Sequence, residues 1–398
     1  MIEHKNNCLP ELKYIDFLKW PLVFGLIWLT LGVAYIPVNK IYQQGVVLFL
    51  YVPVLILLVT NISFLRDIYA SEKIFFWILT ALLVYAGING AIQNDLKIIK
   101  HPMYVFLFLI SGVFVIAANY SEKAKSTVKH VVLCGVLIIA LYVIYNFFIV
   151  HGYSITDQMW GVSGLEHVIL ASYYIGFFLL LSVFLVTEKK QYRFVVLVLV
   201  LGAYILFAQS RGAYGALFIA MLTYTAFFTK KNKAALIFML LCLVTAIVLG
   251  FVYSEQITSR GFSYRPEILK ASIEFGLQSM WFGIGLDKNY LVYSPSFPDG
   301  ALHPHNLLAH VFIELGLVGL FLCCALWIYS FYYCYLNRSQ VTARFSMIWI
   351  VFSGLAVQSD AASFIAQPRL EWIVVWVPIF LTIIVIAINY FKNKSNCM

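Results

Sequence analysis

The sequence predicts an all-α fold: a polytopic transmembrane helical bundle with a long outer loop that contains short helices. Hydrophobic residues make up 62% of the chain and charged residues only 11%, whereas charged residues are roughly a quarter of an ordinary soluble protein. The apolar runs match the roughly 20 residues that a helix needs to cross a bilayer. They lack the alternating pattern of a transmembrane barrel strand. The chain is therefore predicted to be an integral membrane protein.

About twelve spans follow one another along the chain, and a long polar loop at residues 254–304 separates the ninth from the tenth. No internal repeat or soluble domain interrupts the pattern, so residues 1–398 are predicted to form a single integral membrane domain. The spans are predicted at 21–38, 45–62, 74–92, 103–118, 130–150, 167–186, 194–208, 212–229, 234–253, 305–336, 345–358 and 372–390.

The distribution of Lys and Arg predicts how the bundle is oriented. Twelve spans put both termini on one side, and the connections on that side hold 18 of the 27 basic residues. Basic residues favour the cytoplasmic side of a membrane protein. Both termini are therefore predicted to be cytoplasmic, and the 254–304 loop is predicted to lie outside. The net charge of +9 follows from this bias, so no nucleic-acid partner is predicted.

The outer loop contains a predicted helix. Pro266 suits the first turn of a helix and Glu267 complements the helix dipole, so we predict a helix over residues 265–277. Glycine and proline residues break up the remainder of the loop. The loop then leads into a histidine-containing segment and another apolar run, which concentrates polar chemistry at one membrane face.

Two arginines on the outer side are candidates for binding an anion. Arg211 lies in a short polar break between apolar runs, where an arginine either faces a cavity or extends to the interface. Arg265 precedes the predicted loop helix, so it could hold a phosphate together with the free N–H groups of the helix end, or it could simply be solvated. A guanidinium suits a diphosphate because its planar fork donates two hydrogen bonds.

His305 is the candidate general base. It follows Pro304, so we predict that it lies in the first turn of a helix at the outer interface. Imidazole can accept a proton close to neutral pH. The alternative is an interfacial histidine that caps or hydrogen-bonds the backbone.

Four secondary candidates are weaker. His303 could assist the base, Asn306 could orient donor or acceptor, and Asp360 with Arg369 could line the cavity; each could also make only local contacts. We predict no metal site, because His305 and His310 fall on different helix faces and no cysteine or carboxylate completes a ligand pattern.

The motif around the histidine resembles the signature of the bacterial O-antigen ligase family. It consists of His305 and Asn306, nine further residues, Gly316, two residues and Gly319. This family shares a superfamily of membrane glycosyltransferases with the O-antigen polymerases and the O-linked oligosaccharyltransferases. The twelve spans, the large loop before the motif and the two outer arginines are also similar to that family.

The resemblance implies transfer of O-antigen polysaccharide from undecaprenyl diphosphate to an outer-core sugar of lipid A-core, in lipopolysaccharide biosynthesis. The reaction takes place at the periplasmic face of the cell inner membrane and inverts the anomeric carbon, without metal, ATP or cofactor. Carried over by position, His305 is the general base, and Arg211 and Arg265 bind the diphosphate of the donor.

Other functions stay open at this point. An O-antigen or other polysaccharide polymerase is the nearest alternative, because the families share this architecture and the motif is degenerate. A protein O-oligosaccharyltransferase agrees less well, since the chain lacks extra length and a further soluble domain. A lipid or sugar transporter is more distant, because transporters usually show repeats or charges at mid-membrane.

Overall fold

The computed structural model describes residues 12–93, 95–228, 264–295, 297–361 and 363–396, and it confirms the predicted all-α class. Eight of the helices in these ranges are long and apolar enough to cross a membrane. They are Ile15–Tyr35, Asn39–Thr60, Lys73–Gln93, Leu96–Ala117, Glu122–Val150, Val168–Thr187, Leu307–Leu336 and Val377–Lys394.

Three more apolar helices also match predicted spans. Together with the eight, they correspond to eleven of the twelve predictions; the predicted span 234–253 lies outside the described residues. These three helices are Tyr192–Ala208, Arg211–Phe228 and Val341–Ala356. Other elements are Ile62–Ser71, Arg265–Leu277, Trp372–Val375, a 3-10 turn at Ser163–Leu165, and the strands Val292–Ser294 and Phe297–Ala301.

The helix Val341–Ala356 is central to the bundle. It packs against the helices before and after it in the chain and against Arg211–Phe228. Its Trp349 is fully buried, stacks on Phe352 with ring centroids 4.6 Å apart, and donates its indole N–H to the carbonyl of Ile373 at 2.9 Å. This packing holds in place the connection that begins at residue 357, which carries part of the candidate site.

We call Leu307–Leu336 the motif helix, and its beginning differs from the prediction. Asn306 is its N-cap, because the Asn306 side chain accepts the N–H of Ala309 at 3.0 Å. The prediction that His305 lies in the first helical turn is therefore wrong. His305 precedes the helix and has a positive φ of 51°, a left-handed conformation that is uncommon for residues other than glycine.

The motif helix is also broken in the middle, where Gly316 has φ 63° and ψ −166°. Residues 280–286, which we call the strap, pair with the helix on both sides of this break. The N–H of Gly285 donates to the carbonyl of Glu314 at 3.0 Å, and the N–H of Leu317 donates to the carbonyl of Met280 at 2.8 Å. The strap thus satisfies backbone groups that the break leaves without helical partners.

The helix Lys73–Gln93 holds the strap from the other side. The amide nitrogen of Asn89 donates to the carbonyl of Phe282 at 2.7 Å, and its oxygen accepts the N–H of Leu286 at 3.2 Å. Tyr85 donates its hydroxyl to the carbonyl of Leu315 at 2.8 Å. The strap is therefore fixed between two apolar helices.

The described part of the predicted outer loop contains the predicted helix and one feature that was not predicted. The helix Arg265–Leu277, which we call the loop helix, has the predicted bounds and packs against the motif helix. After the strap, the strands Val292–Ser294 and Phe297–Ala301 form an antiparallel hairpin. The hairpin brings the chain back to the start of the motif helix.

Candidate active site

The candidate active site is centred on a contact between His305 and Asp360. The Nδ1 atom of His305 lies 3.0 Å from the Oδ1 atom of Asp360, although the two residues are 55 positions apart in the chain. The Asp360 side chain is 4% exposed, whereas that of His305 is 31% exposed. His305 is therefore held from its buried side and accessible from the other.

The charge of Asp360 determines which nitrogen of His305 carries the proton. Burial by itself raises the pKa of Asp360, but the hydrogen bond from His305 and the charges of His305, His167 and Arg265 lower that pKa below its usual 3.8. An ionised carboxylate only accepts hydrogen bonds, so Nδ1 of His305 is the donor. In the neutral form of the ring, Nε2 therefore carries the lone pair that can accept a proton.

Two further histidines lie beside this pair. His167 caps the helix Val168–Thr187 through Nδ1, and its Nε2 lies 3.5 Å from Oδ2 of Asp360. The ring of His303 meets that of His305 edge to face, with centroids 4.1 Å apart. Burial and then the charge of His305 lower the pKa of His303, so His303 is neutral at pH 7. We call His167, His303, His305 and Asp360 the histidine cluster.

Direct hydrogen bonds join the two chain segments that carry His305 and Asp360. The N–H of Leu307 donates to the carbonyl of Val357 at 2.9 Å. The amide nitrogen of Asn306 donates to the side chain and the carbonyl of Gln358, at 2.9 and 3.3 Å. The side-chain oxygen of Asn306 caps the motif helix, and its side-chain nitrogen binds Gln358. Asn306 therefore holds the start of the motif helix beside the segment that carries Asp360.

A third segment approaches through Gly212. The hydroxyl of Tyr173 lies 2.7 Å from that of Ser359, which precedes the aspartate of the cluster. A Cβ atom on Gly212 would lie 2.2 Å from Oγ of Ser359, so a larger residue would displace Ser359. Arg211, which begins the helix Arg211–Phe228 and has an exposed side chain, is thereby brought next to the cluster.

The other predicted arginines differ in their surroundings. Arg265 begins the loop helix and lies near enough to the cluster for its charge to lower the pKa of Asp360. Nη1 of Arg369 lies 3.3 Å from the hydroxyl of Ser363. Within the described ranges, no hydrogen bond or ion pair joins Arg369 to His305.

A second polar network is buried beneath the loop. The hydroxyl of Tyr290 and Nδ1 of His310 share a hydrogen bond of 2.6 Å. Nε2 of His310 lies 3.3 Å from Oε2 of Glu314, and Oε1 of Glu314 accepts the N–H of Asp287 at 2.8 Å. This network attaches the loop to the motif helix and is separate from the His305–Asp360 contact.

The expectation that no carboxylate joins the histidines is wrong. Among the residues that the structure describes, His303, His305 and Asp360 have ligand atoms that all lie within 4.8 Å of one another. Sequence spacing missed this group because Asp360 is distant in the chain. His167 was also missed, although its position at the outer end of a predicted span is a signal of the kind that singled out His305.

The fold and the site define a multi-pass helical membrane protein with a histidine–carboxylate centre and arginines at one end of the bundle. The sequence profile of the family described as O-antigen ligase matches residues 194–324. This region includes Arg211, Arg265, His305 and the glycines of the motif. The predicted resemblance to the O-antigen ligase family is thereby confirmed over residues 194–324.

The chain is also similar to a curated relative, an O-antigen ligase of Pseudomonas aeruginosa. The two are 30% identical over 152 residues, which cover 38% of this chain and 37% of the relative. The matched part is thus little more than a third of the relative's length.

Proposed function

We propose that this protein is an O-antigen ligase that transfers O-antigen polysaccharide from undecaprenyl diphosphate to an outer-core sugar of lipid A-core. The observation that carries the proposal is the 3.0 Å contact between Nδ1 of His305 and Oδ1 of Asp360. This contact leaves Nε2 of His305 free to take the proton of a sugar hydroxyl. The family match over residues 194–324 supports the class of substrate.

His305 is the general base of the proposed reaction, and Asp360 positions it. As the acceptor hydroxyl attacks, its proton moves to Nε2 of His305, which becomes an imidazolium. The neighbouring carboxylate stabilises this charge and keeps the ring in the correct tautomer, as the aspartate of a hydrolase triad does. A well-placed general base contributes about 10²–10⁴-fold to the rate.

Arg211 and Arg265 bind the diphosphate in this proposal. The acceptor oxygen forms a bond to the anomeric carbon while the bond from that carbon to the diphosphate oxygen breaks. The diphosphate leaves with the electron pair and gains negative charge, which fixed guanidinium groups stabilise. Attack opposite the leaving group inverts the anomeric carbon in one step, so the reaction requires neither a covalent intermediate nor nucleotide.

The site is proposed to face the periplasm from the inner membrane, with both termini in the cytoplasm. Arg211, Arg265 and Asp360 belong to connections that the basic residues predict to be outside, and His167 and His305 begin predicted spans at that same side. Their convergence supports assigning them to one side of the bilayer. The apolar helices around them offer the lipid tails of donor and acceptor a matching environment.

Transfer by purified protein tests the proposal. Detergent-solubilised protein is mixed with undecaprenyl-diphosphate-linked O-antigen and lipid A-core, in chelator and without nucleotide, and the products are separated by electrophoresis. We expect glycan to appear on lipid A-core. A His151→Gln variant is a matched control, because His151 is an exposed residue outside the histidine cluster.

Other products would contradict the ligase proposal in distinct ways. Lengthening of the lipid-linked glycan without transfer to lipid A-core would identify a polymerase. Movement of intact lipid-linked glycan across a vesicle bilayer, without any new glycosidic bond, would identify a transporter.

A further inference from the structure

Four side chains with metal-binding chemistry meet at the candidate site. The ligand atoms of His303, His305 and Asp360 lie within 4.8 Å of one another, and Nε2 of His167 lies 3.5 Å from Oδ2 of Asp360. Imidazole nitrogens and a carboxylate oxygen are ligands that Zn²⁺ and similar transition-metal ions take in proteins. The histidine cluster therefore offers three donors close to one another and a fourth, His167, beside Asp360.

Two buried polar atoms of the cluster have no hydrogen bond. In the described part of the chain, no hydrogen bond reaches Oδ2 of Asp360 or Nδ1 of His303. Asp360 is 3% exposed, so its second oxygen has lost water without gaining a hydrogen bond. Buried polar groups are normally satisfied, and exceptions often mark a ligand site. A cation between the aspartate and the histidines would give Oδ2 of Asp360 a partner.

The spacing of the donors suits one ion after small side-chain movements. A zinc ion lies about 2.0–2.2 Å from each nitrogen or oxygen ligand, so two ligands of a tetrahedral site are about 3.3–3.6 Å apart. The present upper limit of 4.8 Å exceeds that separation by up to about 1.5 Å, which is the approach that the side chains must make to bind one ion. His303 and His305 are both partly exposed, which leaves their rings room to rotate.

We propose that the histidine cluster binds one divalent transition-metal ion of the Zn²⁺ type, and that this ion inhibits glycan transfer. The inhibition rests on the proposed function, because it acts through the general base. Metal at Nε2 of His305 occupies the lone pair that accepts the proton. Metal at Nδ1 leaves the remaining proton on Nε2, so the ring again cannot act as a base. Either mode of binding stops the reaction.

The donor set also determines which ions inhibit. Mg²⁺ and Ca²⁺ require six or more oxygen ligands, and Asp360 is the single carboxylate of the cluster. Zn²⁺ and Co²⁺ accept imidazole readily. Inhibition is therefore expected with Zn²⁺ and Co²⁺ but not with Mg²⁺ or Ca²⁺ at the same concentration.

Binding is measured first, independently of activity. Protein purified without a polyhistidine tag is titrated with Co²⁺, and the visible absorption of tetrahedral cobalt is recorded. We expect one saturable site per chain. The affinity falls by about tenfold or more in His303→Gln and Asp360→Asn, since even an outer-sphere partner contributes about 10–100-fold. The exposed His151→Gln control keeps the wild-type affinity.

A second measurement, thermal unfolding with and without Zn²⁺, distinguishes loss of a metal ligand from misfolding of a variant. Zn²⁺ should raise the thermal unfolding midpoint of wild type and of His151→Gln, but not that of the two ligand variants, each compared with its own metal-free state. The absence of saturable cobalt binding in wild type would overturn the proposal. So would full binding in both ligand variants.

The transfer assay in the presence of Zn²⁺ tests whether the bound ion inhibits the reaction. Zn²⁺ should reduce transfer by wild type at least tenfold, and excess chelator should restore it. If zinc binds but transfer continues at the metal-free rate, the inhibitory role is wrong. If metal-free protein shows no transfer at all, the proposed function fails, while the cobalt titration still decides whether the metal site exists.

Discussion

At the scale of single residues, the hydrogen bond between His305 and Asp360 determines whether His305 can act as a base. Asp360→Asn removes the charge that fixes the tautomer of His305 while keeping the size of the side chain. We expect transfer to fall by about 10²–10⁴-fold, with little change in donor binding. Asp360→Glu should restore part of the rate, because it returns a carboxylate. The measurement is the transfer rate of each purified variant at saturating donor. A wild-type rate for Asp360→Asn would show that Asp360 is not part of the active site.

The two arginines give a second prediction at this scale. If both stabilise the leaving diphosphate, Arg211→Ala and Arg265→Ala should each lose about 2.7–4 kcal/mol of transition-state stabilisation, the range for a lost oxyanion donor. The Lys variants should recover little, since an ammonium lacks the planar fork. The measurement is kcat/KM for the lipid-linked donor. Full activity in both Lys variants would show that bidentate geometry is unimportant.

Residue types in the sequence predicted part of the site and missed the rest. His305 and Arg265 were found because each stands beside a proline at a predicted helix start. The left-handed backbone of His305 was missed, because the cap at Asn306 delays the helix by two residues. The contact to Asp360 depends on packing between helices that are distant in the chain, which local spacing does not encode.

The broken motif helix is the decisive feature at the scale of elements. Its φ and ψ values put Gly316 in a region that is essentially restricted to glycine. A Cβ atom there would also lie 2.4 Å from the backbone of Trp281 in the strap. The first glycine of the signature motif therefore has a structural explanation: it lets the strap pair with the helix.

This arrangement predicts the effect of a single methyl group. Gly316→Ala should destabilise the protein by about 1–3 kcal/mol or more, from backbone strain alone, and lower its thermal unfolding midpoint in detergent. Gly202→Ala is the matched control. Apart from its two chain neighbours and the nearby backbone of its own helix, no described atom lies within 4 Å of a Cβ added at Gly202. An equal midpoint for the two variants would contradict the role of the break.

The loop helix and the motif helix show what element prediction can achieve. Arg265–Leu277 was predicted correctly because proline and glutamate mark its first turn locally. The motif helix was predicted as one continuous span, since glycine within an apolar run is compatible with an unbroken helix. Its break depends on the strap, whose hydrogen bonds come from outside the helix.

The distribution of basic residues organises the whole molecule. Residues assigned to the outside meet in the candidate site, and residues assigned to the cytoplasm also meet one another. Glu188 and Arg344 form a 2.8 Å ion pair, and Lys129 donates to Gln191 at 3.0 Å. A pattern of charge thus predicted which connections lie at the same end of the bundle, without identifying individual contacts.

The orientation itself is tested by labelling single cysteines. Thr156 and Lys189 are both exposed and are predicted to lie outside and in the cytoplasm, respectively. In a cysteine-free background, Thr156→Cys should react with an impermeant maleimide in intact spheroplasts, whereas Lys189→Cys should react only after lysis. The reverse pattern would invert the topology and remove the site from the periplasm.

The role of His305 as the general base is tested most directly by His305→Ala in the purified transfer reaction. Wild type, His305→Ala and the control His151→Gln are compared at equal protein concentration, in chelator, with donor binding measured in parallel. We predict that His305→Ala binds donor as wild type does but transfers glycan to lipid A-core about 10²–10⁴-fold more slowly. Transfer by His305→Ala at the wild-type rate would contradict the proposed mechanism.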